Sequence, residues 1–439
     1  MARIAIIGTG ISGLGTAYLL HPHHEITVYE KAARIGGHSR TVTVDYDGVP
    51  VPVDTGFIVF NPRNYPHLTA MFRHLGVPTQ HSDMTFSATI RGGWLEWGAK
   101  NLDTVFAQRR NILRPRFLSL INDVTRFNRD AQSAVERHPG FSLDDLISHL
   151  GLGDWFRRYY LLPMAGAIWS CPPGEMLRFP ARSLIRFFAN HNLLSASGQP
   201  QWHTVTGGAQ EYVRRLTAPF ASRIRTDCGA VSVMRTANGV TVRDAKGGCE
   251  TYDDVVMAAH GNETLALLAD ASAEERAALS CFQYQKNRAV LHRDESFMPR
   301  RKRCWASWVY ESDGGFHPKI TVTYWMNRLQ GIDPARPLFV SLNPKREIPP
   351  HLVFDETLFD HPMFDAAAIA AQPRVQALQG QNRTWFAGAH LGHGFHEDGL
   401  ASAVAVAKGL GIETPWRLPQ PEGRPLHQPL PGRLVPQPA

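Results

Sequence analysis

Long uncharged apolar runs are missing from this sequence. None approaches the roughly 20 residues that a membrane-spanning helix needs, so an integral membrane protein is not expected. Cysteine is scarce. The five present (Cys171, Cys228, Cys249, Cys281 and Cys304) are odd in number, scattered, and without a C-x-x-C pair, which argues against a disulfide framework or zinc knuckle and for the reducing cytoplasm. Excess charge is small too: 46 basic against 39 acidic residues leave +7, which favours anionic lipid or polyanionic ligands and does not imply nucleic acid. The apolar start after Met1-Ala2-Arg3 is soon broken by glycines and has no cleavage-type ending, so it reads as a strand and not a signal peptide. His21, His23 and His24 lack acidic or cysteine companions; they read as a solvated loop, and no metal site is expected.

What is present is globular. With 439 residues, 43% of them hydrophobic and 19% charged, the chain can bury a substantial core in two or three domains. Residues 3–30 alternate as a βαβ unit: the strand Ile4-Ala5-Ile6-Ile7, a glycine turn, a helix from Ser12 to Leu20, and a strand from Ile26 to Tyr29. From about Leu102 to Phe188 the pattern is helical, with Phe117, Leu118, Ile121, Val124 and Phe127 on one face. Strand character returns over 229–259, and a second insert carries Trp305, Trp308, Tyr310, Tyr324 and Trp325. After Thr414 proline crowds the chain, which predicts an extended or disordered tail.

The first chemical motif is Gly8-Thr9-Gly10-Ile11-Ser12-Gly13, between strand and helix, with Glu30 closing the next strand. Gly8 allows the tight turn, Gly10 lets a pyrophosphate approach the backbone, and Gly13 permits close helix packing; Glu30 can accept hydrogen bonds from an adenosine ribose. A dinucleotide-binding, Rossmann-like start follows. Alone it does not separate NAD from FAD. A strand that ends in glycines, Trp385 to His390, then Gly392 to Gly399, again feeds a helix whose N-terminus suits a negative group. A mid-chain glycine fingerprint for NADPH is absent, since Gly151-Leu152-Gly153 lacks the third glycine and follows no strand. Electrons from a flavin would therefore go to oxygen, a quinone or another protein.

Glu30 is followed by Arg34, Gly36-Gly37 and Arg40-Thr41, and this E-x5-G-G-x2-R pattern resembles the FAD-binding amine oxidase and carotenoid desaturase superfamily. The resemblance spans residues 4 to 407. It implies an α/β (α+β) fold with FAD as cofactor: a discontinuous FAD domain over 1–82, 203–285 and 380–412, a substrate domain over 83–202 and 286–379 made of β-sheet plus helices, and a proline-rich tail over 413–439. It also implies the cofactor residues. These are Gly8, Gly10, Ile11, Ser12 and Gly13 with Glu30 and Lys31; Gly36, Gly37, His38, Arg40 and Thr41; Thr55, Gly56 and Phe57; Val231 through its backbone at the adenine; and Gly388, Ala389, Gly394, Phe395, His396, Glu397 and Asp398. In this reading Gly36-Gly37 passes the pyrophosphate, Arg40 adds charge there, and Phe395 faces the isoalloxazine. One additional residue before Gly399 departs from the amine oxidase pattern.

Asp54 to Asn61 (D-T-G-F-I-V-F-N), Asn64-Tyr65-Pro66 and Gly394 to Gly399 (G-F-H-E-D-G) are most similar to a bacterial branch that includes a flavin desaturase of methyl-branched unsaturated acyl chains, on the route to furan fatty acids. This implies a lipid or fatty acyl substrate: a C–H beside a methylated alkene gives hydride to flavin N5 because the allylic cation is stabilised, and proton loss then yields a conjugated diene. Amine oxidation and carotenoid or porphyrinogen oxidation are the alternatives, and a flavin-binding scaffold without turnover is another. His396 is the candidate proton acceptor, against a structural role. Glu397 and Asp398 are expected to favour their own helix N-terminus. Basic clusters at Arg109 to Arg116 and Arg300 to Arg303 sit beside apolar residues and suggest peripheral contact with an anionic membrane at the inner face, against a plain solvated surface.

Overall fold

A computed structural model describes residues 1–418, except 170–172, 192, 196–197 and 316–319. Cys171 and most of the proline-rich tail lie outside the described residues. The opening βαβ unit forms as its pattern requires. Arg3–Ile7 pairs in parallel with Glu25–Tyr29 on one side and Asp254–Met257 on the other, Ile4 lying opposite both Ile26 and Asp254. Thr384–Phe386 and Ile224–Arg225 complete a five-stranded parallel sheet. Its central strand is buried on both faces, which accounts for the near-continuous run Ile4-Ala5-Ile6-Ile7.

Two helices meet in front of this sheet. The first, Ile11–Leu20, packs on the last, His396–Gly409, at a small-residue seam: a Cβ on Gly15 would lie 2.8 Å from Leu400 Cδ1, and one on Gly399 would lie 2.7 Å from Ile11 Cγ2. An antiparallel three-stranded sheet (Ala230–Thr236, Gly239–Asp244, Cys249–Tyr252) covers the other face. A separate seven-stranded mixed sheet runs Val353–Pro362, Tyr284–His292, Phe339–Leu342, Ile320–Trp325, Trp308–Ser312, Phe86–Ile90, Leu95–Gly98. The helical block, led by Pro115–Arg137, packs beside it around Phe117, Phe127, Phe156 and Phe188.

Two details depart from the sequence reading. Helix Ala366–Ala377, expected in the substrate domain, buries Ala368, Ala371 and Val375 in the core around Val255 and Met257, because its apolar face meets the parallel-sheet layer. The ordered chain also continues beyond 412: Trp416 is buried, its ring 6.2 Å from Tyr18 and 6.0 Å from His74.

One buried charge network ties the two sheets of the nucleotide domain together. Arg235, its side chain 3% exposed, donates to both carboxylate oxygens of Glu275 at 2.7 Å, to Asp270 at 2.9 Å, and to Thr384 Oγ1 at 3.1 Å. Removing one partner strands Glu275 in a dry environment. Arg235→Ala is therefore expected to cost about 3–5 kcal/mol, with Arg235→Lys losing less; chemical denaturation checks this, and a loss within error of zero sinks it.

Candidate functional site

The glycine turn after the first strand forms a cradle made of main chain. Gly13 comes so close to the Gly8 carbonyl that no Cβ fits between them. Gly37 holds a left-handed φ of +56°, and a Cβ there would sit 2.9 Å from Gly10 Cα, so the doublet crosses directly over the turn. Gly10 itself opens onto space, with nothing within 4 Å of an added Cβ. The helix behind it has no side-chain cap and no acidic residue in its first turn, leaving its amides and positive dipole end for an anion. Glu30 closes the cradle. Its carboxylate accepts from Thr9 N at 3.1 Å, from the Thr9 hydroxyl and from Ala32 N at 2.8 Å. The backbone at 228–231 lies alongside: Cys228 N donates to the Glu30 carbonyl at 2.9 Å, Gly229 packs against Lys31, and Val231 is exposed. Lys31 pairs with Glu263 at 2.5 Å.

Beyond Gly37 the chain meets the two other expected segments. His38 O accepts from Phe57 N at 2.8 Å, and Gly56 passes so close to that carbonyl that a side chain is excluded. His396 Nε2 lies 2.9 Å from Ser39 Oγ and 2.8 Å from the Tyr212 hydroxyl, and its ring stacks on Phe57 with centroids 4.0 Å apart. Four pieces of chain, at 39, 57, 212 and 396, thus converge on one imidazole. Burial pushes this imidazole down to about 3, so it is neutral near pH 7. Its Nε2 is shared by two hydroxyls, a geometry that positions segments, the structural role set against proton transfer in the sequence. His38 is different. Its ring stacks 4.9 Å from Phe359 and 5.4 Å from His361, and its buried Nε2 has no hydrogen-bond partner among the described residues. Desolvation, with His361 and His260 nearby, holds its pKa well below the usual range.

Several expected cofactor residues also make contacts within the protein. Arg40 makes a bidentate pair with Asp355 at 2.6 and 2.9 Å and reaches Thr55 Oγ1 at 3.2 Å, so its guanidinium joins the nucleotide domain to the large sheet. Thr41 donates to Asp54 at 2.6 Å and accepts from Gln210 N at 3.0 Å. Glu397 does not serve its own helix. Its two oxygens accept from His67 N and Leu68 N at 2.8 and 2.9 Å, capping helix Pro66–His74 instead. Asp398 alone caps the last helix, accepting from Phe395 N at 2.9 Å. Gly388 N donates to Ser402 Oγ at 2.9 Å, and Gly394 N to the Ala389 carbonyl at 3.1 Å. The Phe395 ring stacks on Phe187 with centroids 4.9 Å apart and planes 14° apart.

Asp54 opens the D-T-G-F-I-V-F-N motif, and its structural role has no local signature. Buried beneath the site, it accepts from Thr41, from Ala209 N at 2.9 Å and from Gln330 Nε2 at 3.1 Å, while its own N–H donates to Gln330 Oε1 at 2.8 Å. Burial raises Asp54 to about 7 and Glu397 to about 8, against the hydrogen bonds that favour their charged forms. Asp54 and Glu397 in the folded chain still hold carboxyl protons that the unfolded chain has released, which costs stability as pH rises through 7 to 8. The buried imidazoles act in the opposite direction, because unfolded histidines are still partly protonated near pH 6.5 and lose that proton over the same range. Denaturation of wild type and variants separates the two: between pH 6.5 and 8 the wild type is expected to lose about 1–2 kcal/mol relative to Glu397→Gln and about 1 kcal/mol relative to Asp54→Asn; parallel profiles refute the assignment.

The cradle fits FAD: an open anion site at Gly10, a ribose acceptor at Glu30, the exposed residue Val231 where the 228–231 backbone lies alongside, and a glycine path from Gly36 to Gly56. Bound FAD supplies a two-electron sink; the residues above supply its grip. Because a Cβ at Gly10 meets nothing, Gly10→Asp is expected to fold normally and to lose FAD by about 100-fold or more, its side chain filling the phosphate position with like charge. Flavin absorbance beside a far-UV spectrum reads both; a fully yellow variant rules out this cradle.

Solved structures share this fold. A fatty acid isomerase from P. acnes superposes with a TM-score of 0.67 at 15% identity, over 93% of this chain and 98% of that one. A cyclohexylamine oxidase from Brevibacterium oxydans gives 0.65 at 16% over 93% and 99%, and a putrescine oxidase 0.64 at 13% over 93% and 98%. At such identities the likeness speaks to fold alone. No curated protein matches the sequence. The model of the flavin containing amine oxidoreductases matches residues 11–279, more than half of the chain and including most of the cradle, and the protein belongs to that FAD-dependent family.

Proposed function

We propose that the protein removes two hydrogens from a methyl-branched unsaturated fatty acyl chain, hydride passing to the flavin and a proton to the protein, to give a conjugated diene. The observation that carries this reading is the setting of Phe395. Its ring packs against both the helical core of the substrate side and the core of the nucleotide side, so the two cores meet at an apolar seam. Phe187 stacks directly on it and His191 lies 5.9 Å away, so the seam is walled by rings. Both neighbouring acids are engaged by backbone amides, Glu397 at 67–68 and Asp398 at 395. An ammonium group would find no free carboxylate among these residues, whereas the apolar seam suits an acyl chain.

The same fold carries a fatty acid isomerase, which is compatible with acyl chemistry. The proton needs an acceptor at the same end of the path, where the candidate imidazole of His396 is held by Ser39 and Tyr212. Hydride loss next to a methylated alkene is favoured because the positive charge spreads over the allyl unit. Loss of the neighbouring proton to a base completes the removal of H2.

Anaerobic mixing of the FAD-loaded protein with phospholipid carrying a methyl-branched monoene tests the reading. Flavin bleaching together with a product two hydrogens lighter is expected. Bleaching by amines alone overturns it in favour of amine oxidation, and no bleaching by lipids, amines, carotenoids or porphyrinogens overturns it in favour of a scaffold.

A further inference from the structure

The two basic clusters, nearly 200 residues apart in sequence, form one surface. Asp103 in the short helix Leu102–Val105 pairs with Arg109 and lies 3.7 Å from Arg303. Glu96, completely buried, accepts from Arg300 N at 2.8 Å and from the Arg301 guanidinium at 2.7 Å, fixing the 300–303 turn onto strand Leu95–Gly98. Arg110 donates to the Trp94 carbonyl at 2.7 Å, and the guanidinium of Arg114 sits 5.5 Å over the Trp94 ring. Lys302 lies 5.4 Å over Trp305. Residues 96–118 and 300–303 carry nine basic side chains, with Asp103 and the buried Glu96 as their only acids.

The same surface exposes its large aliphatic residues. Leu102 is 75% exposed, Leu113 86%, Ile112 48% and Leu118 45%. Single exposed leucines are ordinary; four of the ten exposed large hydrophobics among the described residues, gathered within 17 residues and interleaved with arginines, are not. Short helical turns present them: Leu102 at the start of its helix, Ile112 and Leu113 in the turn Arg109–Leu113, Leu118 in the first turns of Pro115–Arg137. The Phe106 and Phe117 rings, 5.7 Å apart, hold these turns together from beneath.

We propose that this face docks the protein onto the surface of an anionic phospholipid bilayer, with the arginines and lysines at the headgroups and Leu102, Ile112, Leu113 and Leu118 entering the acyl boundary. A bilayer accounts for both features at once. Its headgroup layer offers a plane of negative charge, and the layer below accepts aliphatic side chains that water does not favour. A nucleic acid or other polyanion would use the charges and leave the leucines in solvent. Among the described residues no helix is long and apolar enough to cross a membrane, so the contact is peripheral. The inference goes beyond the substrate reading and does not rest on it.

Sedimentation of the full-length, FAD-loaded protein with vesicles tests it. Vesicles of saturated, straight-chain phosphatidylcholine are compared with the same lipid mixed with phosphatidylglycerol; neither contains an oxidisable alkene, so the readout is independent of turnover. Binding is expected to be ~10-fold or more stronger on the anionic vesicles and to weaken with salt. Arg116→Glu with Lys302→Glu is expected to lose about tenfold, and Leu102→Ser with Leu113→Ser a similar amount with every charge intact. Flavin content and melting temperature, unchanged in both, exclude misfolding. Equal binding to both vesicle types overturns the proposal, as does wild-type binding by the leucine variant, which would mark the face as a general polyanion site.

Discussion

Two buried carboxylates hold the site in shape by doing what main chain alone does not. Asp54 gathers a strand residue (Thr41), the amide that opens helix Gln210–Thr217, and Gln330 from the large sheet's side of the molecule. Glu397 takes two amides at the start of helix Pro66–His74 and anchors them to the last helix. Each carboxylate is costly to bury and is repaid only when all its donors are in place. Asp54 therefore couples its own segment to helix Gln210–Thr217 and to Gln330, and Glu397 couples the last helix to helix Pro66–His74. That coupling explains why residues so far apart in the chain can present one continuous path for a dinucleotide.

The path has a rigid end and a softer end. At Gly8, Gly13 and Gly37 the backbone segments touch, and no side chain can intervene. Past Gly56 the contacts are side chains: Phe57, Tyr212, Ser39 and His396 interlock through rings and hydroxyls. Phe395 then faces the other core. Gripping the phosphates with main chain and shaping the reactive end with rings separates cofactor binding from substrate choice. A change at the aromatic seam can alter what is oxidised without loosening the nucleotide.

The nucleotide end was legible in the sequence because its signals are local. Strand, glycine turn, helix and Glu30 follow one another within 30 residues, each with a spacing set by backbone geometry. The doublet at 36–37 and the strand feeding the last helix were readable for the same reason. What escaped was long-range. Arg40 reads as a phosphate ligand, and its ion pair with Asp355, 315 residues away, has no local signature. Glu397 looks like a cap for its own helix, whereas its partners lie 330 residues back, and the adjacent Asp398 does the expected work. Helix Ala366–Ala377 has few features to say which core its alanines enter, and Trp416, alone among prolines, is held by Tyr18 and His74 from the other end of the chain.

A grip built from main-chain groups also explains how chains of 13–16% identity share this architecture over nearly their full length. Amide donors and glycine contacts constrain few side chains, so the fold and FAD can persist while most residues change. The consequence runs the other way for substrate. Family membership carries the cofactor with it, because both rest on the same backbone; it carries no substrate, because Phe187, His191 and Phe395 are side chains that this constraint leaves free. Substrate identity must then be read from side chains, at the seam and on the surface. In this protein the seam is apolar, and the molecule's exposed leucines are concentrated among arginines on the substrate side. Both features suit a molecule that has an acyl chain at one end and an anionic headgroup at the other.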